Sequence, residues 1–301
     1  MRFGDDRESS NFRDDTGRSM GGLGGFGGGG GNPLGCLIPL VASRFGIGGV
    51  IVVLIGYFIL SSLGGLGGIT GGGPAGSPTQ QVGQSGKSNL DPQTKHFTLQ
   101  VLASTEDTWN NLLAKQGVRY APTQLVFYSE ADQSGCGAAQ SAMGPFYCPT
   151  DKRIYIDPQF FEELRTRFGA PGDFAQGYVI AHEVGHHVQD LLGTLDEASR
   201  AQASSGRVQG NQIQVGVELQ ADCYAGVWAA NAKAADGQPL LEPGDVEEGM
   251  RAAEAIGDDT LQRQMQGRVV PESFTHGTSA QRIAALRTGL ESGDPAACSK
   301  L

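Results

Sequence analysis

No C-x-x-C pair occurs among the five cysteines of this chain. That excludes a zinc ribbon and a thioredoxin-type redox motif. Positive charge is also scarce: 22 Lys and Arg stand against 32 Asp and Glu, a net of -10. A nucleic-acid partner calls for a basic surface, so none is expected. An acid balance supports solubility and says little about fold. There is no internal repeat, and no A-x-A-like cleavage site comes after the one long apolar run, so an ordinary secretory signal is not expected. Between Arg44 and Lys87 there is no charged residue at all.

That uncharged gap holds IGGVIVVLIGYFILSSL, Ile47 to Leu63, and runs on through glycines to Ile69. At 1.5 Å per residue the run can cross a hydrocarbon core of about 30 Å. One transmembrane helix is expected over residues 46–69. Residues 1–32, most of the tail at 1–45, alternate charges with glycine and include MGGLGGFGGGGGN, Met20 to Asn32. Too little apolar surface is available there to offset chain entropy, so a disordered tail is expected. Five arginines precede the span and the next basic residue is Lys87, which leaves the N-terminus in the cytoplasm and sends the rest across. Residues 70–89, rich in Gly, Ser, Pro and Gln, form a flexible linker to a domain at 90–301.

The domain is expected to be mainly α with a small β-sheet. Helices are predicted over Asp91–Lys115, Phe160–Phe168, Asp173–Leu192, Gln209–Ala235, Pro243–Ile256 and Ser279–Leu290. Asp173 is the expected N-cap of the third, and Gly193 its stop. Strands are predicted at Gln124–Tyr128 and Arg153–Ile156, with a small-residue loop between Cys136 and Cys148. The second strand is the expected sheet edge, where an extended peptide would pair. With the domain in an oxidising compartment, the expected disulfides are Cys136–Cys148 and Cys223–Cys298, with Cys36 left as a thiol.

The chemistry gathers in AHEVGHHVQD, Ala181 to Asp190. His182, Glu183 and His186 make H-E-x-x-H. Positions i and i+4 of a helix share a face, so both imidazoles can bind one metal. Glu183 is turned by about 100° from His182 and would reach a water rather than the metal. Apolar flanks count against an ordinary polar face, because burying two histidines and a glutamate without partners is costly. In the pattern H-E-x-x-H-x-x-G-x-x-H the third ligand is a histidine, but Gln189 and Leu192 stand in its last two fixed positions. The third ligand must lie further on. VELQADCYAG offers Glu218 as the ligand and Asp222, four residues on, as a partner for a ligand histidine. Ala221 and Ala225 would allow the two helices to approach closely. Asp190, Asp196 and Glu197 are rival ligands near the end of the first helix. His187 is expected to point away, towards the surface or a substrate.

HEVGHH and then ELQADCYAGVW, with the Gly-rich tail, GPFYCP and FTHGTSAQR, resembles the bacterial family of putative neutral zinc metallopeptidases. The likeness spans nearly the whole chain. That family is similar to the glutamate-ligand zinc peptidases, and so implies a zincin-like α+β peptidase domain. The resemblance implies one Zn2+ per chain on His182, His186 and Glu218, with Glu183 as general base and Asp222 behind a ligand histidine. It also implies that His276 stabilises an oxyanion, with Arg282 helping to hold the site. Gly277 departs from the histidine–proline pattern of those relatives, and a plain loop leading into a helix capped by Ser279 is the alternative. A membrane-anchored endopeptidase of the bacterial plasma membrane is expected, its domain extracytoplasmic and its partners a peptide or protein substrate and the bilayer. The alternatives are a zinc-holding protein that binds polypeptides without cutting them, and an amidase acting on another amide such as a peptidoglycan cross-link.

Overall fold

A computed structural model describes residues 1–18 and 88–300. The expected membrane span, Cys36 and most of the linker lie outside the described residues. Among the described residues no helix is long and apolar enough to cross a membrane. The described chain forms one unit, built from Met1–Gly17 together with Ser88–Leu301.

Eight α-helices and a small sheet make up this unit. They are α1 (Pro92–Lys115), α2 (Gln159–Thr166), α3 (Asp173–Leu192), α4 (Thr194–Ala203), α5 (Arg207–Asn231), α6 (Asp245–Ala255), α7 (Asp258–Gln266) and α8 (Ser279–Ser292). Local chemistry sets several ends. Asp91 caps α1 by accepting the Thr94 N–H at 2.8 Å, with Pro92 in the first turn. Gly193 closes α3 in the left-handed region, φ 81°. Thr278, rather than Ser279, caps α8 in a capping box with Gln281. Asp173 is the first residue of α3 and not its cap; Gly172 holds the cap position. Sequence periodicity misses α4 and α7, which are short and polar.

The strands are β1 (Phe12–Asp14), β2 (Gln124–Phe127), β3 (Ala131–Ser134), β4 (Gly137–Gln140), β5 (Phe146–Cys148) and β6 (Arg153–Ile156). One sheet has the order β1-β2-β6-β5. Its first three strands are parallel, and β5 runs antiparallel to β6. The predicted strand at Arg153–Ile156 is therefore central, and β5 is the edge instead. The stretch between Cys136 and Cys148, expected to be a loop, contains β4, and β4 pairs with β3 in a separate hairpin. Both expected disulfides are present, Cys136–Cys148 and Cys223–Cys298, the second joining α5 to the C-terminal turn.

The expectation of a disordered tail fails for residues 1–17. Several charges in that segment meet their opposites on the helices. The Arg7 guanidinium donates to Glu106 at 3.0 Å and Asp107 at 2.7 Å on α1. The Met1 amino group pairs with Asp173 at 2.6 Å and Asp245 at 3.1 Å. Phe3 and Phe12 pack edge-on against Phe97 and Phe127. The glycine-rich composition that argues for disorder belongs to residues 20–32 and does not reach back to the first seventeen.

Two buried tryptophans, Trp109 and Trp228, anchor a core shared by α1, α3 and α5. Helix spacing there is fixed by glycine. A Cβ on Gly185 would lie 3.0 Å from the carbonyl of Ala221, so α3 and α5 touch backbone to backbone. Gly226 and Gly289 do the same for α5 and α8, where a Cβ on Gly289 would collide with the Cys223 carbonyl. The Gly185–Ala221 contact lies between His182 and His186 on α3 and between Glu218 and Asp222 on α5.

Candidate metal centre

Helix α3 carries His182, Glu183 and His186, and α5 carries Glu218 and Asp222. The close crossing at Gly185 brings the two sets together. His182 Nε2 lies 3.2 Å from Glu218 Oε2, and His186 Nε2 lies 3.5 Å from the same oxygen. Three ligand atoms, one from each of these residues, lie within 4.8 Å of one another. Ligands about 2.0–2.1 Å from a tetrahedral zinc stand about 3.3 Å apart, so the spacing suits that ion.

Each ligand is fixed from behind. His182 Nδ1–H donates to Asp222 Oδ1 at 2.8 Å, and His186 Nδ1–H donates to Gln189 Oε1 at 2.8 Å. Both rings therefore keep Nε2 for the shared centre. Gln214 donates to Glu218 Oε1 at 2.9 Å, leaving Oε2 to face the imidazoles. Gln189 in turn donates to the Val217 carbonyl at 2.7 Å, tying α3 to α5. Asp222 is fully buried and receives three further hydrogen bonds. The Tyr178 hydroxyl donates at 2.6 Å, and Arg282 donates from Nε at 2.8 Å and from Nη2 at 2.8 Å. This two-pronged fork is the geometry in which arginine holds a carboxylate most firmly.

The carboxylates favour a cation among these groups, a proton on His182 where no metal is bound. Burial opposes the charge on His182, yet the Asp222 carboxylate outweighs it and pushes the imidazole up to about 10. Burial also works against ionisation of Glu218, but His186 and His276 hold its carboxyl well below the usual range. Asp222 falls to about 2, its burial outweighed by Arg282 and His182. Glu183 moves the other way: burial raises its carboxyl, only partly offset by the two histidines. Two neighbouring glutamates are thus pushed apart, one towards permanent charge and one towards accepting a proton.

His276 sits on the loop before α8 with about half its side chain exposed, 52%. Its Nδ1 lies 3.4 Å from Asp258 Oδ1, and burial of its surroundings is outweighed by Glu218 and Asp258, which raise its pKa. Asp258 also accepts the backbone N–H groups of Thr275, His276 and Gly277, which fixes the loop.

Where sequence and structure part, the difference is in His187 and in the neutral polar partners. His187 is buried, not at the surface: Nε2–H donates to the Ala121 carbonyl at 2.6 Å, and Nδ1 lies 3.1 Å from the Tyr147 hydroxyl. Asp190, a rival ligand, accepts from Tyr147 at 2.8 Å instead. Asp196 and Glu197 lie in the first turn of α4 and are not grouped with the histidines. Gln189, Gln214 and Tyr178 escape a reading of the sequence. Amide and phenol side chains have no ligand spacing to give them away, though Tyr178 does stand one turn before His182.

The whole chain, residues 1–301, matches the family described as "Putative neutral zinc metallopeptidase". The chain belongs to that family. It is 45% identical over 305 residues to the uncharacterized protein YpfJ of Escherichia coli K12, covering 99% of this chain and 98% of YpfJ. It is 44% identical over 203 residues to the uncharacterized protein Rv2575 of Mycobacterium tuberculosis H37Rv, covering 65% of this chain and 66% of that one. No solved structure matches. At the level of this zinc metallopeptidase family, the chain is a hydrolase with a zinc cofactor.

Proposed function

We propose that the chain is a zinc-dependent endopeptidase that cleaves peptide bonds of a protein or peptide substrate. The observation that carries this reading is the convergence of His182 Nε2, His186 Nε2 and Glu218 Oε2, each oriented by a partner on its far side. Three protein ligands would leave a tetrahedral ion one open position, as catalytic sites require. One ion per chain would be held by these residues. Zinc held there would supply Lewis acidity and would lower the pKa of water at the site to about 7.

The remaining work falls to side chains. Glu183 takes the proton of the attacking water and later delivers it to the leaving nitrogen. A buried carboxyl with a raised pKa suits both halves of that transfer. His276, protonated more readily than an ordinary histidine, faces the developing oxyanion. Asp222 and Arg282 keep the His182 ring in one tautomer. The free side of edge strand β5 would take an extended substrate backbone.

Residues 46–69 would attach the enzyme to the plasma membrane. Two disulfides in the domain support an extracytoplasmic, oxidising location.

The test is metal content and peptide-library digestion for wild type and Glu183→Gln. The variant is expected to keep one zinc per chain and to lose cleavage by about 10²- to 10⁴-fold. Equal cleavage by the two proteins would overturn the peptidase reading.

A further inference from the structure

We propose that residues 1–17 are an integral strand and brace of the catalytic domain, so that the amino-terminal segment and the domain share one side of any membrane to which the chain is attached. This goes beyond the peptidase reading and replaces the cytoplasmic N-terminus that arginine distribution alone suggests. Strand β1 enters the main sheet in parallel with β2, placing Phe12 opposite Leu125 and Asp14 opposite Phe127. The segment leading to it is bound at several points. Gln100, itself buried, donates to the carbonyls of Gly4 and Asp6 at 3.0 and 3.2 Å. Buried Glu106 accepts from Arg7 at 3.0 Å, Ser9 at 2.5 Å and Asn11 at 2.8 Å. The Met1 side chain reaches α3, where its sulfur lies 3.0 Å from the position a Cβ on Gly177 would take.

The chain then leaves this unit after Gly17 and rejoins it at Ser88. The two ends meet. Ser88 Oγ donates to Asp14 Oδ2 at 2.6 Å, Asn89 N–H to Thr16 Oγ1 at 3.0 Å, and the Asn89 side chain to the Thr16 carbonyl at 3.2 Å. The chain thus leaves and rejoins the domain at one spot. A single crossing of a bilayer puts the segments on its two sides on opposite faces. Two segments that share a β-ladder and a core cannot stand apart in that way. With residues 1–17 in place, a single crossing between Gly17 and Ser88 would have to part the two. The positive-inside rule weighs arginines as though they were free. Here Arg7 and Arg13 are paired with acidic residues, Glu106 and Asp107 for the first, Asp15 and Asp132 for the second.

Membrane-impermeant maleimide labelling of the full chain in bacterial cells tests this. Single exposed positions are changed, Ser10→Cys in the N-terminal segment and Glu291→Cys in the domain, each with Cys36→Ser. Both cysteines are expected to label from the same side: both in intact spheroplasts, or both only after lysis. Labelling of one in intact spheroplasts and of the other only after lysis would overturn the proposal. Trypsin on the membrane-bound chain gives an independent reading. Wild type is expected to resist cleavage after Arg7 and Arg13, and Glu106→Lys, which repels Arg7, to be cut there. Rapid cleavage of wild type at both sites would also count against the proposal. Neither readout depends on proteolytic activity, so failure here leaves the peptidase reading standing.

Discussion

Helix α3 carries two clusters of ionisable groups, and they behave differently. At its N-terminal end Asp173 meets Asp245 and Glu248. In its middle His182 and His186 meet Glu218. The first cluster is all carboxylate and is already occupied by a cation of the chain itself, the Met1 amino group. Glu248 there has its carboxyl raised by burial and by its two acidic neighbours, while it accepts the Phe174 N–H at the start of the helix. The second cluster offers two nitrogen donors, with both tautomers fixed by Asp222 and Gln189. Carboxylate count does not make a transition-metal site; oriented imidazoles do. One cluster fastens a chain terminus to a helix, and the other groups side chains that could hold a metal ion.

The comparison can be broken at several points. The largest effect is expected from Asp222→Asn, which removes the charge behind His182: zinc affinity should fall about 10- to 100-fold by competition titration with a chelator. If Asp245→Asn lowered zinc affinity as much, the two clusters would not be separate. We expect instead that Asp245→Asn leaves zinc binding intact and lowers stability by about 1 kcal/mol, a Tm loss of about 2–4 °C in calorimetry. Tyr178→Phe removes one donor to Asp222 while Arg282 keeps two, so a cost of about 1 kcal/mol is expected, with a smaller loss of zinc affinity than Asp222→Asn gives.

The smallest effect sharpens the picture on the acid side. Burial opposes ionisation of Asp258, but His276 and the loop N–H groups outweigh it and hold its carboxyl below the ordinary 3.8. A depressed folded-state pKa adds stability above the unfolded value, and this is lost as pH falls through the folded one. Wild type should therefore exceed Asp258→Asn in Tm at pH 6, and the gap should narrow as pH drops below about 4. A gap that stays constant down to pH 3 would remove Asp258 from the account.

Much of the candidate metal centre is legible in the sequence because its proposed ligands obey a spacing. His182 and His186 are one turn apart, Glu218 and Asp222 are one turn apart, and small residues mark the crossing between them. The supporting groups are not legible for the opposite reason. Gln189 and Gln214 act through tertiary neighbours, and a neutral amide reads the same on a surface as in a site. In the fold, α3 and α5 can be read from apolar periodicity and, for α3, a terminal glycine. The β3–β4 hairpin cannot, since ADQS and GAAQ hold no β-branched or aromatic residue. The central place of β6 is hidden because strand order is a non-local property. The alternation in RIYI does not reveal that a segment from the far N-terminus extends the sheet on one side while β5 covers the other.

The bridge from Cys223 to Cys298 begins one residue after Asp222 and encloses the loop of His276 and the helix of Arg282. A protease that nicks the exposed backbone after Arg268 would therefore yield a two-chain protein, with its short fragment still covalently fastened to the longer one. The nicked form would migrate as an intact band until a reductant is added, and only then would it shed the arginine that grips Asp222.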